Sequence, residues 1–150
     1  GDSANGSNHL DMLRLMYLAA LAAKDARLDP GVMPPETVLE MATLHGARAL
    51  GLADQIGSLE PGKRADLVMF DLDLPEWRPL LDPVATLVYS ASAASVHTVM
   101  VDGRVLLDGR RVTTVDEREV LARAERLSGS SLARAGLAPR PRWPTIGRPA

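Results

Sequence analysis

Asp2 is the residue of this sequence whose setting best suits catalytic chemistry. It lies in a run of small and polar residues, GDSANGSNH (residues 1–9), which ends abruptly where a long apolar pattern begins. A metal ligand or a general base is one interpretation of such a carboxylate. A turn or capping carboxylate is the other, and it is the more common role of Asp in segments rich in Gly, Ser and Asn. The residue types alone leave both interpretations open.

The other residues with chemical potential form no recognisable catalytic set. His9, His45 and His97 are far apart and no pair has metal-ligand spacing, and the absence of cysteine excludes thiolate nucleophiles and disulfides. The segment from Gly57 to Lys63 superficially resembles a phosphate-binding loop. The match fails because Arg64 stands where Ser or Thr is needed, and a strand pattern follows. Lys63 and Arg64 are therefore interpreted as solvated turn charges.

Composition limits the class of protein. A chain of 150 residues that is 46% hydrophobic is long enough for one ordinary domain with a core. The net charge of −2 argues against a nucleic-acid partner, which needs a basic surface, and gives no reason to expect a membrane surface. No apolar run reaches the roughly 18 residues of a membrane span. A cytoplasmic protein is the plain expectation.

Helices are predicted in the first half and at the end of the chain. Apolar spacings of three and four predict a helix from Leu10 to about Lys24, and Pro34-Pro35-Glu36 suits the start of a second helix that Gly51 would end. Asp82-Pro83 predicts a short helix to about Tyr89, and Asp116 with Glu119 resembles a capping box before a last helix.

Strands are predicted between these helices. Pro61-Gly62 fits a type II turn, after which Ala65 to Asp71 is a buried-strand candidate with Asp66 and Asp71 as edge or turn groups. Residues 72–83 are expected to be extended. Val96 to Val101 predicts a strand. The turn Asp102-Gly103 leads from it into an antiparallel segment, Arg104 to Leu107. A second turn, Asp108-Gly109, then leads into Arg111 to Thr113.

Three stretches together resemble the amidohydrolase superfamily. The segment MATLHGARALGLADQIGSLEPGKRADLVMFDLD (41–73) is similar to the family's C-terminal signature, and VHTVMVDGRVLLDGRRV (96–112) to the hairpin that follows it. The opening GDSANGSNHLDML resembles the loop after the eighth barrel strand in the ring-deaminase and chlorohydrolase branch. The resemblance covers roughly residues 1–113, and it places Asp2 on the family's metal-site aspartate.

The resemblance implies an α/β fold. Family members are (β/α)₈ TIM barrels with a small β-sandwich assembled from both chain ends, so this chain is predicted to be the C-terminal part of such an enzyme. Residues 1–53 would end the barrel with two helices, and residues 54–113 would supply the strands and hairpin of the composite sandwich. Residues 114–136 would form a C-terminal helix, and residues 137–150 a Pro/Arg-rich tail.

The resemblance also implies a reaction. In the family, the aspartate that matches Asp2 binds a divalent metal, most often zinc with iron as an alternative, and moves a proton from the metal-bound water. The resulting hydroxide attacks a ring carbon and expels ammonia or chloride. The implied substrate is a small heteroaromatic molecule, and the implied complete enzyme is a homo-oligomer.

The family's other metal ligands have no counterpart in this sequence. Its His-x-His pair and its two later barrel histidines are absent, and catalytic zinc sites typically need three protein ligands. We therefore expect this chain, taken alone, to bind no metal tightly and to be inactive, with the N-terminal barrel portion as its partner. The alternative is a non-catalytic interaction or structural module derived from an amidohydrolase.

Overall fold

The computed structural model describes residues 10–138, in which two helical segments precede a small antiparallel sheet, a short helix lies between its first two strands, and a long helix follows it. The chain divides into two compact units, Gly1–Thr113 and Thr114–Ala150. In the described part, no helix combines the length and the apolar character needed to cross a membrane.

Helix α1 spans Met12–Arg27 and begins two residues later than the apolar spacing predicts. Its start is fixed by Asp11, whose carboxylate accepts hydrogen bonds from the backbone N–H groups of Leu13 at 2.9 Å and Arg14 at 3.3 Å. These are two of the N–H groups that a helix start leaves without a partner, and capping them defines where the helix begins.

The second predicted helix is divided into three parts. An α-helix, α2 (Pro35–Glu40), leads into a π-helical turn at Met41–His45, and a short α-helix, α3 (Gly46–Ala49), completes the segment. The prediction of one continuous α-helix is therefore wrong in the middle. The widened turn lies where the backbone of Gly57 packs against the helix, a tertiary contact that helical spacing does not encode.

Four strands form one antiparallel sheet in the order β1-β2-β3-β4. The strands are β1 (Leu67–Phe70), β2 (Val96–Val101), β3 (Arg104–Asp108) and β4 (Arg111–Val112). In the pairing of β1 with β2, Val68 lies opposite Val99 and Phe70 opposite Val96. Within the described residues, β1 is thus an edge strand with one neighbour.

The two hairpin turns differ in how well the sequence predicts them. Asp102 and Gly103 both have positive φ, 50° and 74°, which confirms the predicted type I′ turn. In the second turn the positive φ values belong to Gly109 and Arg110, so this turn lies one residue later than predicted. The Arg110 N–H donates to the carbonyl of His97 at 3.0 Å, a contact across the sheet that holds the shifted turn.

A connection and a short helix join β1 to β2. The segment predicted as extended contains a 3₁₀ turn at Pro75–Trp77, and the Trp77 side chain is buried. Helix α4 (Pro83–Tyr89) follows, and the Asp82 carboxylate caps it by accepting hydrogen bonds from the N–H groups of residues 84 and 85, both at 2.9 Å. This start agrees with the sequence prediction.

The core of the first unit is small and helical. Its fully buried members come from α1, α2 and α4: Met16, Ala20, Val38 and Val88. No side chain of the sheet belongs to this cluster, so the helices hold one another while the neighbouring sheet keeps much of its apolar surface uncovered.

The second unit contains helix α5 (Glu117–Arg134). The Asp116 carboxylate caps it by accepting hydrogen bonds from the N–H groups of Arg118 at 2.9 Å and Glu119 at 3.2 Å. No residue of α5 is buried.

Candidate functional site

An open apolar groove of about 940 Å³ lies between the helices and the sheet of the first unit. One sheet face forms its floor, because side chains two residues apart point the same way and the β1–β2 register aligns them. These floor residues are Val68, Phe70, Val96, Val99 and Val101. The wall is formed by Leu13 and Met16 of α1 and by Leu39, Ala42 and Thr43 of the second helical segment.

Several of the described residues that line the groove are exposed. Leu10 is 77% exposed, Leu59 is 75% exposed and Val68 is 48% exposed, although all three are large apolar residues that line it. Contiguous apolar surface of this kind marks a site of packing against further protein or of ligand binding.

The opposite face of the sheet is also apolar where β1 forms the edge. Met69 is 55% exposed, and Val105 of β3 is also exposed. A sheet that carries apolar side chains on both faces is typical of one covered on both sides. The edge itself consists of Leu67–Phe70, which contains neither proline nor a charged residue, the usual protections of a free edge.

The turn before β1 is held by a partly buried lysine, Lys63. Gly62 has φ 91° and the Lys63 N–H donates to the carbonyl of Glu60 at 3.1 Å, as a type II turn at Pro61-Gly62 requires. The Lys63 ammonium donates to the Ser58 hydroxyl at 2.7 Å and lies 3.2 Å from the Glu60 carboxylate, to which Ser58 also donates. The interpretation of Lys63 as a solvated charge is wrong, because its side chain is only 16% exposed.

This arrangement also changes the acidity of Glu60. The hydrogen bond from Ser58, followed by the interactions with Lys63, lowers the pKa of the Glu60 carboxyl below its ordinary value of 4.5. The lysine and the serine are therefore fixed by neighbouring groups, and their contacts stabilise the turn rather than present a nucleophile.

Asp66 and Asp71 are edge and turn groups, as the sequence predicts. The Asp66 carboxylate accepts a hydrogen bond from the backbone N–H of Asp102 at 2.6 Å, which ties the start of β1 to the hairpin turn. The Asp71 carboxylate accepts from the N–H of Asp73 at 2.9 Å. Arg64 lies 3.8 Å from the Asp102 carboxylate and is half exposed, in agreement with a solvated charge.

Glu76 makes a long-range contact that sequence analysis missed. Its carboxylate accepts hydrogen bonds from the Ser92 N–H at 3.0 Å and from the Ser92 hydroxyl at 3.0 Å, and thereby joins the 3₁₀ turn to the segment before β2. The bond from the Ser92 N–H is the main cause of a lowered Glu76 pKa. The two residues are 16 positions apart, so no local pattern signals the pair.

The predicted metal ligand is not among the residues with a described position. Asp2 and His9 lie outside residues 10–138. His45, on the π-helical turn, and His97, on β2, are both exposed. Between residues 10 and 138 no group of three or more His, Cys, Asp or Glu residues is close enough to hold a metal ion.

The fold defines the class of this protein. Its helices and antiparallel sheet superpose on the C-terminal part of TIM-barrel metal-dependent hydrolases, which confirms the predicted α/β fold. The model of the amidohydrolase family matches residues 2–106. The chain therefore belongs to the amidohydrolase family, as the three sequence stretches predict.

Similar proteins include deaminases and a chlorohydrolase. The chain is 54% identical over 125 residues to the 5-methylthioadenosine/S-adenosylhomocysteine deaminase of Desulforudis audaxviator, a match that covers 83% of this chain. A zinc-bound adenosine deaminase from Xanthomonas campestris has a TM-score of 0.83 and 37% identity over 86% of this chain. The zinc complex of atrazine chlorohydrolase from Arthrobacter aurescens TC1 has a TM-score of 0.68 and 31% identity over 77%.

These matches cover only part of the similar proteins. The chain spans 29% of the Desulforudis audaxviator deaminase, 29% of the Xanthomonas campestris structure and 26% of the chlorohydrolase structure.

Proposed function

We propose that this chain contributes the C-terminal part of a cytoplasmic, metal-dependent hydrolase that removes an amino group or a chloride from a heteroaromatic ring. The family match that begins at residue 2 carries this proposal, since it includes the loop of Asp2. Similarity to deaminases and to a chlorohydrolase supports the reaction class. We propose domain limits at 1–53, 54–113, 114–136 and 137–150.

Asp2 is proposed as the catalytic residue and as a metal ligand. A bound divalent ion, zinc or alternatively iron, supplies a water molecule whose pKa is lowered toward neutrality. The Asp2 carboxylate is the group that takes the proton of that water and returns it to the leaving group. Residues 10–138 provide no further metal cluster, so the other ligands belong to the remaining barrel strands.

We also propose that the remaining barrel portion packs into the apolar groove. Leu10, Met12 and Val68 line the groove and are at least 48% exposed, so the face is built to be covered. The N-terminal part of α1 lines the groove and follows the Asp2 loop directly in sequence. Closing the groove would therefore also fix the point at which that loop ends.

The test compares two aspartate substitutions in the complete enzyme. Asp2→Asn keeps the shape of the side chain but removes its charge, and we expect turnover to fall by about 10²–10⁴-fold. Asp66→Asn is the matched control, because its side-chain oxygen can still accept the Asp102 N–H and it should keep turnover near wild type. The assay uses saturating zinc and a panel of aminated and chlorinated heteroaromatic compounds.

Metal content provides the second measurement. Asp2→Asn should retain less zinc after dialysis than wild type or Asp66→Asn, because the ion loses an anionic ligand. Near wild-type turnover of Asp2→Asn on any good substrate would show that Asp2 is neither ligand nor proton acceptor.

A further inference from the structure

Helix α5 presents a largely apolar stripe, and within the described residues its members are exposed. The stripe repeats at spacings of four, three and four residues, which keeps its members on one face of a helix. Its members are Val120, Ala124, Leu127 and Ser131, flanked by Leu121 and Leu132. Val120 is 51% exposed, Leu121 is 70% exposed and Leu127 is 54% exposed.

The two ends of α5 carry opposite charge. Asp116, Glu117 and Glu119 lie at its start together with one basic residue, Arg118, so the start is acidic on balance, and Arg134 lies in its last turn. At 100° per residue, Glu119 and Arg134 lie on one side of the stripe, and Glu117 borders its other side. This order agrees with the helix dipole, which favours acidic residues at the start of a helix and basic residues at the end.

We propose that α5 pairs in antiparallel fashion with α5 of a second copy of this chain. When the stripes of two antiparallel copies are aligned, Val120 meets the partner's Ser131, and Ala124 meets the partner's Leu127. The same alignment brings Glu117 and Glu119 beside the partner's Arg134, at both ends of the pair. A parallel arrangement would instead bring like charges together at each end, which opposes pairing.

A second copy fits this surface because the stripe is complementary to itself. A twofold axis through the middle of α5 presents the same patch from both chains, as isologous interfaces require. The helix has 18 residues and is therefore about 27 Å long. An interface of this length falls at the small end of specific interfaces, so we expect a weak pair that other contacts in the complete enzyme reinforce.

Disulfide trapping tests both the pairing and its direction, since the sequence contains no cysteine. Val120→Cys and Ser131→Cys are introduced separately into the 150-residue chain, and the two variants are mixed and oxidised. The antiparallel pair predicts the mixed 120–131 disulfide as the main product. It disfavours the 120–120 product, because two copies of residue 120 would be about 16 Å apart along the axis, beyond the reach of a disulfide.

Three further variants separate the interface from chance encounters. Arg134→Glu should reduce the mixed product about tenfold or more, and combining it with Glu117→Arg and Glu119→Arg should restore that product. Arg118→Glu is the matched control, because Arg118 lies about 150° around the helix from the middle of the stripe and should leave the yield unchanged. Circular dichroism confirms that each variant keeps its helix content.

Two results would overturn the proposal. One is a predominance of 120–120 and 131–131 products over the mixed product, which indicates parallel contact. The other is a mixed product that forms no faster than a disulfide to Leu81→Cys, an exposed residue in the loop before α4. Disulfide formation is measured without enzyme turnover, so a failure of this proposal can be distinguished from a failure of the role proposed for Asp2.

Discussion

Replacing Gly57 by alanine adds a single methyl group, and it should lower the free energy of unfolding more than most substitutions of this size in the first unit. Gly57 has φ 97°, a conformation that residues with a Cβ rarely adopt. A Cβ at this position would lie 2.8 Å from the Cβ of Ala47 and 3.2 Å from the carbonyl oxygen of Thr43. Both neighbours belong to the second helical segment, Thr43 to the π-helical turn and Ala47 to α3.

The expected loss of stability has two parts. Holding a residue with a Cβ at positive φ costs about 1–2 kcal/mol. Forcing the helix away from the new methyl group costs about 1–3 kcal/mol more, as in other overpacked sites. Gly57→Ala should therefore lower the free energy of unfolding by about 2–5 kcal/mol.

Gly62→Ala is the matched control for this substitution. Gly62 has φ 91°, but no atom lies within 4 Å of the point that a Cβ would occupy there, so only the backbone cost of about 1–2 kcal/mol applies. Urea unfolding of both variants, followed by circular dichroism, measures the difference between them. Equal losses in Gly57→Ala and Gly62→Ala would show that the close helix contact contributes nothing.

Three other predictions concern pH, metal and surface. The lowered Glu76 pKa stabilises the folded chain above pH 4.5, and this contribution is lost as the pH falls through the lowered folded value. The stability difference between wild type and Glu76→Gln should therefore shrink on acidification in urea titrations, and a difference that grows would contradict the assignment. The purified 150-residue chain should retain far less than one zinc per chain by atomic absorption, and stoichiometric zinc with deaminase turnover would refute this. The open groove should bind an apolar fluorescent dye, and Val68→Lys should bind less dye than wild type, whereas Leu81→Lys in an exposed loop should not differ.

The starts of helices and one hairpin turn could be predicted from the sequence. Asp82 and Asp116 cap helices within three residues of themselves, so the interaction that fixes each helix start is visible in a short stretch of sequence. Asp102-Gly103 forms its type I′ turn for the same reason, since both residues tolerate positive φ. Such features depend on near neighbours only.

The family could also be predicted from the sequence, and with it the general fold. The amidohydrolase match depends on the order of residues in segments such as 41–73, which are already complete in the linear chain. The role of Asp2 stays a prediction, because it rests on the alignment of the opening loop and the residue lies outside the described part of the chain.

Only the tertiary structure decided which distant groups meet. The Asp66 carboxylate bonds to a residue 36 positions away, and Glu76 bonds to Ser92 16 positions away. The π-helical turn and the displaced second hairpin turn likewise depend on segments that approach from elsewhere. Local spacing carries no information about these approaches, because the groups that meet are far apart in the sequence. The same physical reason explains the groove: most of its lining residues are ordinary apolar residues in the sequence, and only the placement of the sheet beside the helices makes them one surface.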